Sequence, residues 1–291
     1  KDLDVIIQIK KERLAKDGVL EYFPPEEGMA QIGGLQNLKR WLEKRKKAFA
    51  PEAERFGISP PKGILLLGVQ GCGKSLAAKA VAKEWNLPLL KMEPGRLYDK
   101  YIGESEKNLE RALKMAERMA PCVLMVDEIE KGLTYVGSGE ADAGLSRRIF
   151  GRLLSWLQDR KAPVFVIATC NDLSKLPPEM MRKGRFDEIF FIDLPNREER
   201  KEIFAVHLKK RKRDPVAFDL NLSAEASEGF SGAEIEQAIV SALYTAFSKG
   251  TDPATGLIVE ELKATKPLSV TRKEAIVALR RWAQGRTVMA S

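Results

Sequence analysis

Residues 68–75 read Gly-Val-Gln-Gly-Cys-Gly-Lys-Ser and follow directly on the apolar run Ile64–Leu67. This is the pattern G-x-x-x-x-G-K-S/T in the strand-then-helix setting that a phosphate-binding loop needs. It constrains the fold more than any other feature of the chain. Such a loop works only when a buried strand delivers it and a helix takes over at its end. Segment 63–67 is too apolar for an exposed edge and predicts a buried parallel strand. The glycines let the backbone curl so that successive N–H groups turn inward and form an anion nest. A helix beginning near Lys74 adds the positive end of its dipole. Gln70, Gly71, Cys72, Gly73, Lys74, Ser75 and Leu76 are the candidate nucleotide contacts of this stretch. Lys74 is expected to reach the β- and γ-phosphates, and the Ser75 hydroxyl to sit on Mg²⁺. The plain alternative is a glycine-rich turn that fits the pattern by accident; the flanking strand and helix weigh against it.

The remaining chain can be tested against that loop. Apolar strands are expected at 63–67, 88–92, 122–126, 163–169 and 189–194. Helical patterns lie between them, such as Ser105–Met119, where Leu109, Ala112, Leu113 and Ala116 share a face. Alternating strands and helices imply an α/β fold, a parallel sheet with helices on both sides. Residues 1–30 read as a charged helix and then a linker around Tyr22-Phe23-Pro24-Pro25. After Pro195 no strong strand is expected, and helices are expected at 197–211, 231–248 and 271–284. Ser231 and Glu234 form a capping-box pattern at the start of the second of these. The expected organisation is an N-terminal helix and linker (1–30), a large α/β nucleotide-binding domain (31–195) and a small helical domain (196–291). A chain of 291 residues has room for one large and one small domain.

A nucleotide enzyme also needs a metal carboxylate, a group to handle water and something to neutralise charge. The run Cys122–Val126 leads straight into Asp127-Glu128. Ligands of open α/β sheets sit at the carboxyl ends of strands, so Asp127 is expected to face the loop and hold Mg²⁺, directly or through water. Glu128, one residue on, can polarise an attacking water as general base. Two acids merely capping a strand end is the bland reading. Asn171 ends the strand Val164–Cys170, where its neutral amide could bond both the γ-phosphate and the attacking water; a turn-forming Asn is the alternative. Arg182 and Arg185 stand three apart after the loop Pro177–Met181. Alone they would be a surface pair; as arginine fingers they would contribute about 10³ to 10⁵ in rate.

Bulk properties narrow the class. The hydrophobic content of 44% supports a real core, and no apolar run is long enough for a membrane span. No signal peptide is expected at the start, which lacks Met and fits a piece of a longer protein. Cys72, Cys122 and Cys170 are odd in number and suggest free thiols in a reducing cytosol. The net charge of +8 gathers partly in Lys44-Arg45-Lys46-Lys47 and in Lys209–Arg213. A solvated helix face and a helix C-terminus account for both, and no aromatic residues interleave with them as base stacking would require. Nucleic-acid binding is therefore open but not favoured. The sole histidine, His207, reads as an ordinary helix residue. With one histidine the chain cannot supply the His-Glu-x-x-His of a zinc protease.

Several segments together resemble the AAA ATPase family over residues 30 to about 250. The strongest stretch runs from Ile167-Ala-Thr-Cys-Asn-Asp through Arg182-Lys-Gly-Arg-Phe-Asp to Asp193-Leu-Pro, which is similar to the second region of homology of AAA proteins. Further matches are Ile32-Gly33-Gly34-Leu35, Gly103-Glu104-Ser105-Glu106 and Gly229-Phe-Ser-Gly-Ala-Glu234. Leu176–Phe191 resembles the group first catalogued as a hypothetical chloroplast reading frame, found also in cyanobacteria and other bacteria. The resemblance implies a five-stranded parallel sheet of order 5-1-4-3-2 and a C-terminal helical lid over the adenine. Ile32 and Gly33, with Gly232 and Ala233, would line the adenine pocket. Arg182 and Arg185 match the two finger positions that serve a neighbouring subunit's nucleotide. Tyr101-Ile102-Gly103 matches the pore loop that grips a polypeptide, although an aromatic there could equally pack on helix 105–119. The chain departs from the family at Gln31, Val69-Gln70 and Cys72, none of which removes a phosphate-contacting group, and at Glu130, where an Asp is common; the lid carries Ala233-Glu234 and no arginine at that point, which fits the AAA type.

The resemblance therefore implies a Mg²⁺-dependent ATPase binding ATP and ADP. It would be a homo-oligomer, a hexamer by family expectation, remodelling or translocating a protein client through a central pore. A nucleic-acid motor or loader is the alternative, and a slowly hydrolysing nucleotide-dependent scaffold a third. The expected location is cytoplasmic, or the stroma if plastid-encoded, with no membrane partner.

Overall fold

The computed structural model describes residues 19–24, 26–97, 104–133, 140–182 and 184–291, the side chains of 133 and 140–143 excepted. Its contacts divide the chain into two compact units. The first takes in residues up to Gly28, Trp41–Leu67 and Ala78–Phe190; the second takes in Met29–Arg40, Gly68–Ala77 and Phe191–Ser291.

The first unit is built on a mostly parallel sheet. β1 is Leu20–Phe23, β2 Gly63–Gly68, β3 Leu89–Met92, β4 Cys122–Val126, β5 Val164–Cys170 and β6 Glu188–Ile192. Their order is β1-β3-β4-β5-β2-β6. The five central strands carry the order implied by the resemblance. Every residue of β2, β4 and β5 is buried, which is why they read as unbroken apolar runs rather than alternating ones. Helix α4 (Glu104–Met119) buries Leu109, Ala112, Leu113 and Ala116. α5 (Glu140–Asp159) lies beside it, joined by Arg148 to Glu106 at 3.0 Å and Trp156 Nε1 to Glu117 at 2.8 Å.

Two expectations need correction here. The stretch around Tyr22-Phe23 is not a linker: β1 pairs antiparallel with β3 in the register Leu20↔Met92 to Phe23↔Leu89. Pro24, which has no N–H to donate, follows its last residue. The first basic cluster also does have an aromatic beside it. The Arg45 guanidinium lies 3.6 Å from the Trp41 ring centroid. That ring is committed to the core, 5.9 Å from Phe190 and 6.4 Å from Phe165, so Arg45 caps it from outside.

In the second unit, Ala290 N–H donates to Phe191 O at 2.9 Å, so that β7 (Val288–Met289) lies beside β6. With β1, this two-residue strand brings the sheet to seven strands, against five expected. The helices of this unit are α6 (Arg197–Lys210), α7 (Leu220–Ala226), α8 (Gly232–Ser248), α9 (Thr255–Ala264), α10 (Leu268–Thr271) and α11 (Lys273–Ala283). Their core gathers Phe204, Leu208, Phe218, Phe230, Ile235, Ile239, Ile258 and Leu262. α6 opens on a capping box, Asn196 with Glu199, and α8 on another, Ser231 with Glu234. The second basic cluster is partly spent in pairs: Arg211 with Glu236 at 2.9 Å and Arg213 with Asp252 at 3.6 Å. All three cysteines are free thiols. Among the described residues no helix is long and apolar enough to cross a membrane.

His207, on α6, is half-buried, and burial holds its imidazole below the ordinary value, with Arg211 and Lys210 adding to the effect against the pull of Glu236. A base with a lowered folded-state pKa costs stability where the unfolded chain takes up the proton and the folded one does not. The loss begins as pH falls through about 6.5. His207→Gln should therefore match the parent in urea midpoint at pH 7.5 and exceed it increasingly toward pH 5.5. An equal gap at both pH values would show that the imidazole does not titrate in this way.

Candidate functional site

In the first unit the parallel register fixes where polar groups emerge. Leu67 pairs with Cys170 and Val126 with Ala168. The strands β2, β4 and β5 thus end on one edge of the sheet, and the residues that follow leave the apolar interior there together. Asp127 and Glu128 follow β4; Asn171 follows β5.

Thr169, buried in β5, ties these residues to one another. Its hydroxyl donates to Asp127 Oδ1 at 2.7 Å and accepts the Glu128 N–H at 2.8 Å. Glu128 sits at φ +51°, the left-handed region that L-residues seldom occupy. Asn171 Nδ2 donates to Glu128 Oε1 at 3.0 Å, and the ammonium of Lys131 pairs with Glu128 Oε2. The Asn171 N–H donates to Glu130 Oε1 at 2.9 Å, so the buried Glu130 braces the start of the Asn171 turn. Lys91 of β3 lies 3.5 Å from Asp127 Oδ2 and 2.6 Å from Glu93 Oε1. Burial works against its charge, but the Glu93 and Asp127 carboxylates outweigh it and raise the ammonium above its ordinary value.

The structure thus brings Asp127, Glu128 and Asn171 together. Sequence reasoning missed Thr169 and Lys91 as members of this cluster. Thr169 had a signal, a hydroxyl in a strand otherwise apolar from Val164 to Ala168. Lys91 had none, since a lysine in a short strand reads as a solvated face.

Arg182 closes the short 3-10 turn Pro178–Met181 and is exposed; Arg185 is half-buried. Neither forms an ion pair among the described residues. Arg185 Nε and Nη1 are shut off from solvent with no hydrogen-bond partner there. Between these arginines and β6, Asp187 Oδ2 accepts the Gly63 N–H at 2.8 Å and Phe186 is buried. That anchoring fixes the segment from its far side. Tyr101, Ile102 and Gly103 lie outside the described residues.

In the second unit the glycine loop follows Gly68. Gly71 and Gly73 take φ +77° and +88°, conformations that favour glycine. A Cβ on Gly71 would also come within 3.0 Å of Ser231 Oγ. Lys74 Nζ donates to the carbonyls of Gly68 and Val69 at 2.8 and 2.7 Å. Ser75 follows at the first turn of α3 (Lys74–Glu84; the shorter helices α1, Gln36–Glu43, and α2, Pro51–Arg55, precede it). The Cys72 thiol is pushed up to about 12 by burial, partly offset by Lys74, so it stays protonated at neutral pH.

Gly33 and Gly232 approach Ile203 in this unit, Gly71 meets Gly232 and Ala233, and Ile32 precedes Gly33 in sequence. Ala233 N–H donates to Gly71 O at 3.0 Å. Gly33 lies against α6 so closely that a Cβ would stand 2.7 Å from Ile203 Cγ1, and a Cβ on Gly232 would be 3.8 Å from the same side chain. Lys39 Nζ donates to Ile32 O at 2.6 Å and Gly34 N–H to Glu202 at 2.7 Å, fixing the turn. Gln70 and Leu76 flank this group in sequence.

The donor chemistry suits Mg²⁺. Hydroxyl and carboxylate oxygens are the hard ligands that ion takes. Asp127 Oδ2 already faces a cationic group, the Lys91 ammonium.

The chain is similar to known proteins over most of its length. The family described as ATPase family associated with various cellular activities (AAA) matches residues 64–194. The AAA domain-containing protein ycf46 of Pyropia yezoensis is 45% identical over 284 residues, 97% of this chain and 58% of that protein. Its counterpart in Guillardia theta is 45% identical over 283 residues, 97% of this chain and 56% of that protein. A cell division cycle protein 48 homolog of Archaeoglobus fulgidus is 36% identical over 258 residues, 86% of this chain and 34% of that protein. The chain spans a little over half the length of the plastid relatives.

Removing the Thr169 hydroxyl should leave the Glu128 N–H and one Asp127 oxygen short of a partner. Thr169→Val, nearly equal in shape, should lower stability by about 1–3 kcal/mol, and Thr169→Ser by much less. Urea unfolding of both variants checks this; equal losses would assign the effect to packing.

Proposed function

The chain belongs to the AAA ATPase family, and from that premise we propose that it hydrolyses ATP with Mg²⁺, as one subunit of a ring that works on a protein client. The observation that carries the reading is the cluster of Asp127, Thr169, Glu128 and Asn171 at the carboxyl ends of two parallel strands. It supplies a carboxylate for a metal, a second carboxylate for water and an amide beside it, each held by named hydrogen bonds.

In this reading Lys74 and the N–H groups of 70–75 bind the phosphates, and Ser75 and Asp127 would hold Mg²⁺. The ion, when bound, would neutralise charge on the β- and γ-phosphates. Glu128 takes a proton from the attacking water as its oxygen bonds to the γ-phosphorus and the bridging bond to ADP breaks. Asn171 orients that water. Ile32, Gly33, Gly232 and Ala233 line the adenine site, a role supported by the approach of Gly33 and Gly232 to Ile203 and of Ala233 to Gly71. Residues 31–195 serve as the large nucleotide-binding part and 196–291 as the lid. Arg182 and Arg185 act on a neighbouring subunit's nucleotide, which fits their freedom from ion pairs among the described residues. Tyr101-Ile102-Gly103 would contact the client in a hexamer's pore, in the cytoplasm or the stroma.

A nucleic-acid motor is the second reading. One observation favours it: the surface around Trp282 carries Lys273, Arg281 and Arg286, the last with its guanidinium 5.5 Å from the ring. Strong stimulation of ATPase by single-stranded DNA or RNA, and none by unfolded proteins, would select it.

Glu128→Gln should bind ATP normally and turn it over at less than about a tenth of the parent rate; turnover above that level would remove Glu128 as general base. Arg185→Ala and Lys74→Ala subunits, each inactive alone, should regain part of the activity when mixed. Rings shown to be mixed yet still inactive would argue that the arginine does not act between subunits.

A further inference from the structure

The register Lys91↔Met125 between β3 and β4 places Lys91 diagonally next to position 127 on the same face of the sheet. The side chain is only 21% exposed, and its ammonium stands between two carboxylates, Glu93 at 2.6 Å and Asp127 at 3.5 Å. Glu93 is itself fixed by Arg96, whose Nε lies 2.9 Å from Glu93 Oε2. Arg96 in turn pairs with Glu21 of the edge strand β1. Glu21, Arg96, Glu93 and Lys91 thus form a row of alternating charge that ends on Asp127.

An ammonium and a divalent cation that seek the same carboxylate oxygen exclude one another by charge and by space. The nearer carboxylate, Glu93, draws the ammonium away from Asp127. We propose that Lys91 is a built-in competitor for Mg²⁺ at Asp127, and that Glu93 sets how strongly it competes. This rests on the reading of Asp127 as a metal-binding carboxylate. Lys91 and Glu93 are positioning residues, acting through Asp127.

The signature is a pair of opposite shifts. Lys91→Gln removes the competitor and should lower the Mg²⁺ concentration for half-saturation about threefold to tenfold. Glu93→Gln leaves the ammonium with Asp127 alone and should raise it by a similar factor. The double variant should behave as Lys91→Gln, because without the ammonium Glu93 keeps only Arg96 and has no competitor left to draw away from Asp127. Lys91→Arg keeps the charge and should stay within about twofold of the parent. The measurement is MgCl₂ titration of the full chain with a fluorescent ADP analogue, read by anisotropy, with the thermal midpoint against MgCl₂ as a second readout. Neither needs turnover.

Asp127→Asn separates the two layers. If it leaves the Mg²⁺ dependence unchanged, Asp127 is not a metal carboxylate and the proposed function loses that residue. If it weakens Mg²⁺ binding while Lys91→Gln and Glu93→Gln shift together or not at all, the reading of Asp127 stands and the competitor proposal is overturned. A shift in Lys91→Arg as large as in Lys91→Gln also overturns it, since packing rather than charge would then be the cause.

Discussion

A single buried hydroxyl, Thr169 Oγ1, sets the geometry of the acidic cluster. It bonds the backbone of Glu128 and the carboxylate of Asp127 at once. The left-handed backbone at Glu128 costs about 1–2 kcal/mol. A hydrogen bond to a charged carboxylate contributes about 1.5–3 kcal/mol. The hydroxyl therefore offsets the strain and aims the two acids in different directions. Asp127 stays in line with its strand, with its own N–H on Met92 O at 3.1 Å. Glu128 turns out toward Asn171. On a regular strand extension Glu128 would point to the face opposite Asp127; the turn sets it beside Asn171 instead.

That arrangement depends on strands which, apart from Thr169, are apolar along their whole bodies. β2, β4 and β5 bury every residue, and the acids and amide that follow β4 and β5 appear just past the strand ends. This also made the fold legible in advance. Fully buried parallel strands write themselves as continuous apolar runs, and the acids and amide that follow them stand out. β1 and β7 were not legible, for the converse reason. Leu20–Phe23 is half-buried, four residues long and followed by Pro-Pro, and Val288–Met289 is two exposed residues. Neither carries a pattern distinct from a linker until its partner strand is known.

The acidic cluster was legible to the same degree as its strands. Asp127, Glu128 and Asn171 could be placed because position along one strand was enough. Lys91 could not, because its meaning comes from register with a different strand: only the pairing with Met125 brings it beside Asp127. Thr169 falls between these cases. A hydroxyl in a buried strand must find a partner, but which one follows only from the β4–β5 alignment.

Arg185 shows the same logic from the opposite side. The Arg160 guanidinium donates to the carbonyls of Val164 and Leu157. Arg185 instead keeps Nε and Nη1 out of water with no partner among the described residues. A buried donor left unmet costs about 1–3 kcal/mol, and more when it is charged. The cost is not structural necessity, since the neighbouring Asp187 is spent on Gly63 rather than on this guanidinium. The half-buried guanidinium thus keeps two donors without a partner among the described residues. The proposed finger role gives these donors a use, because the oxygens of a transferring phosphoryl group supply what the described residues do not.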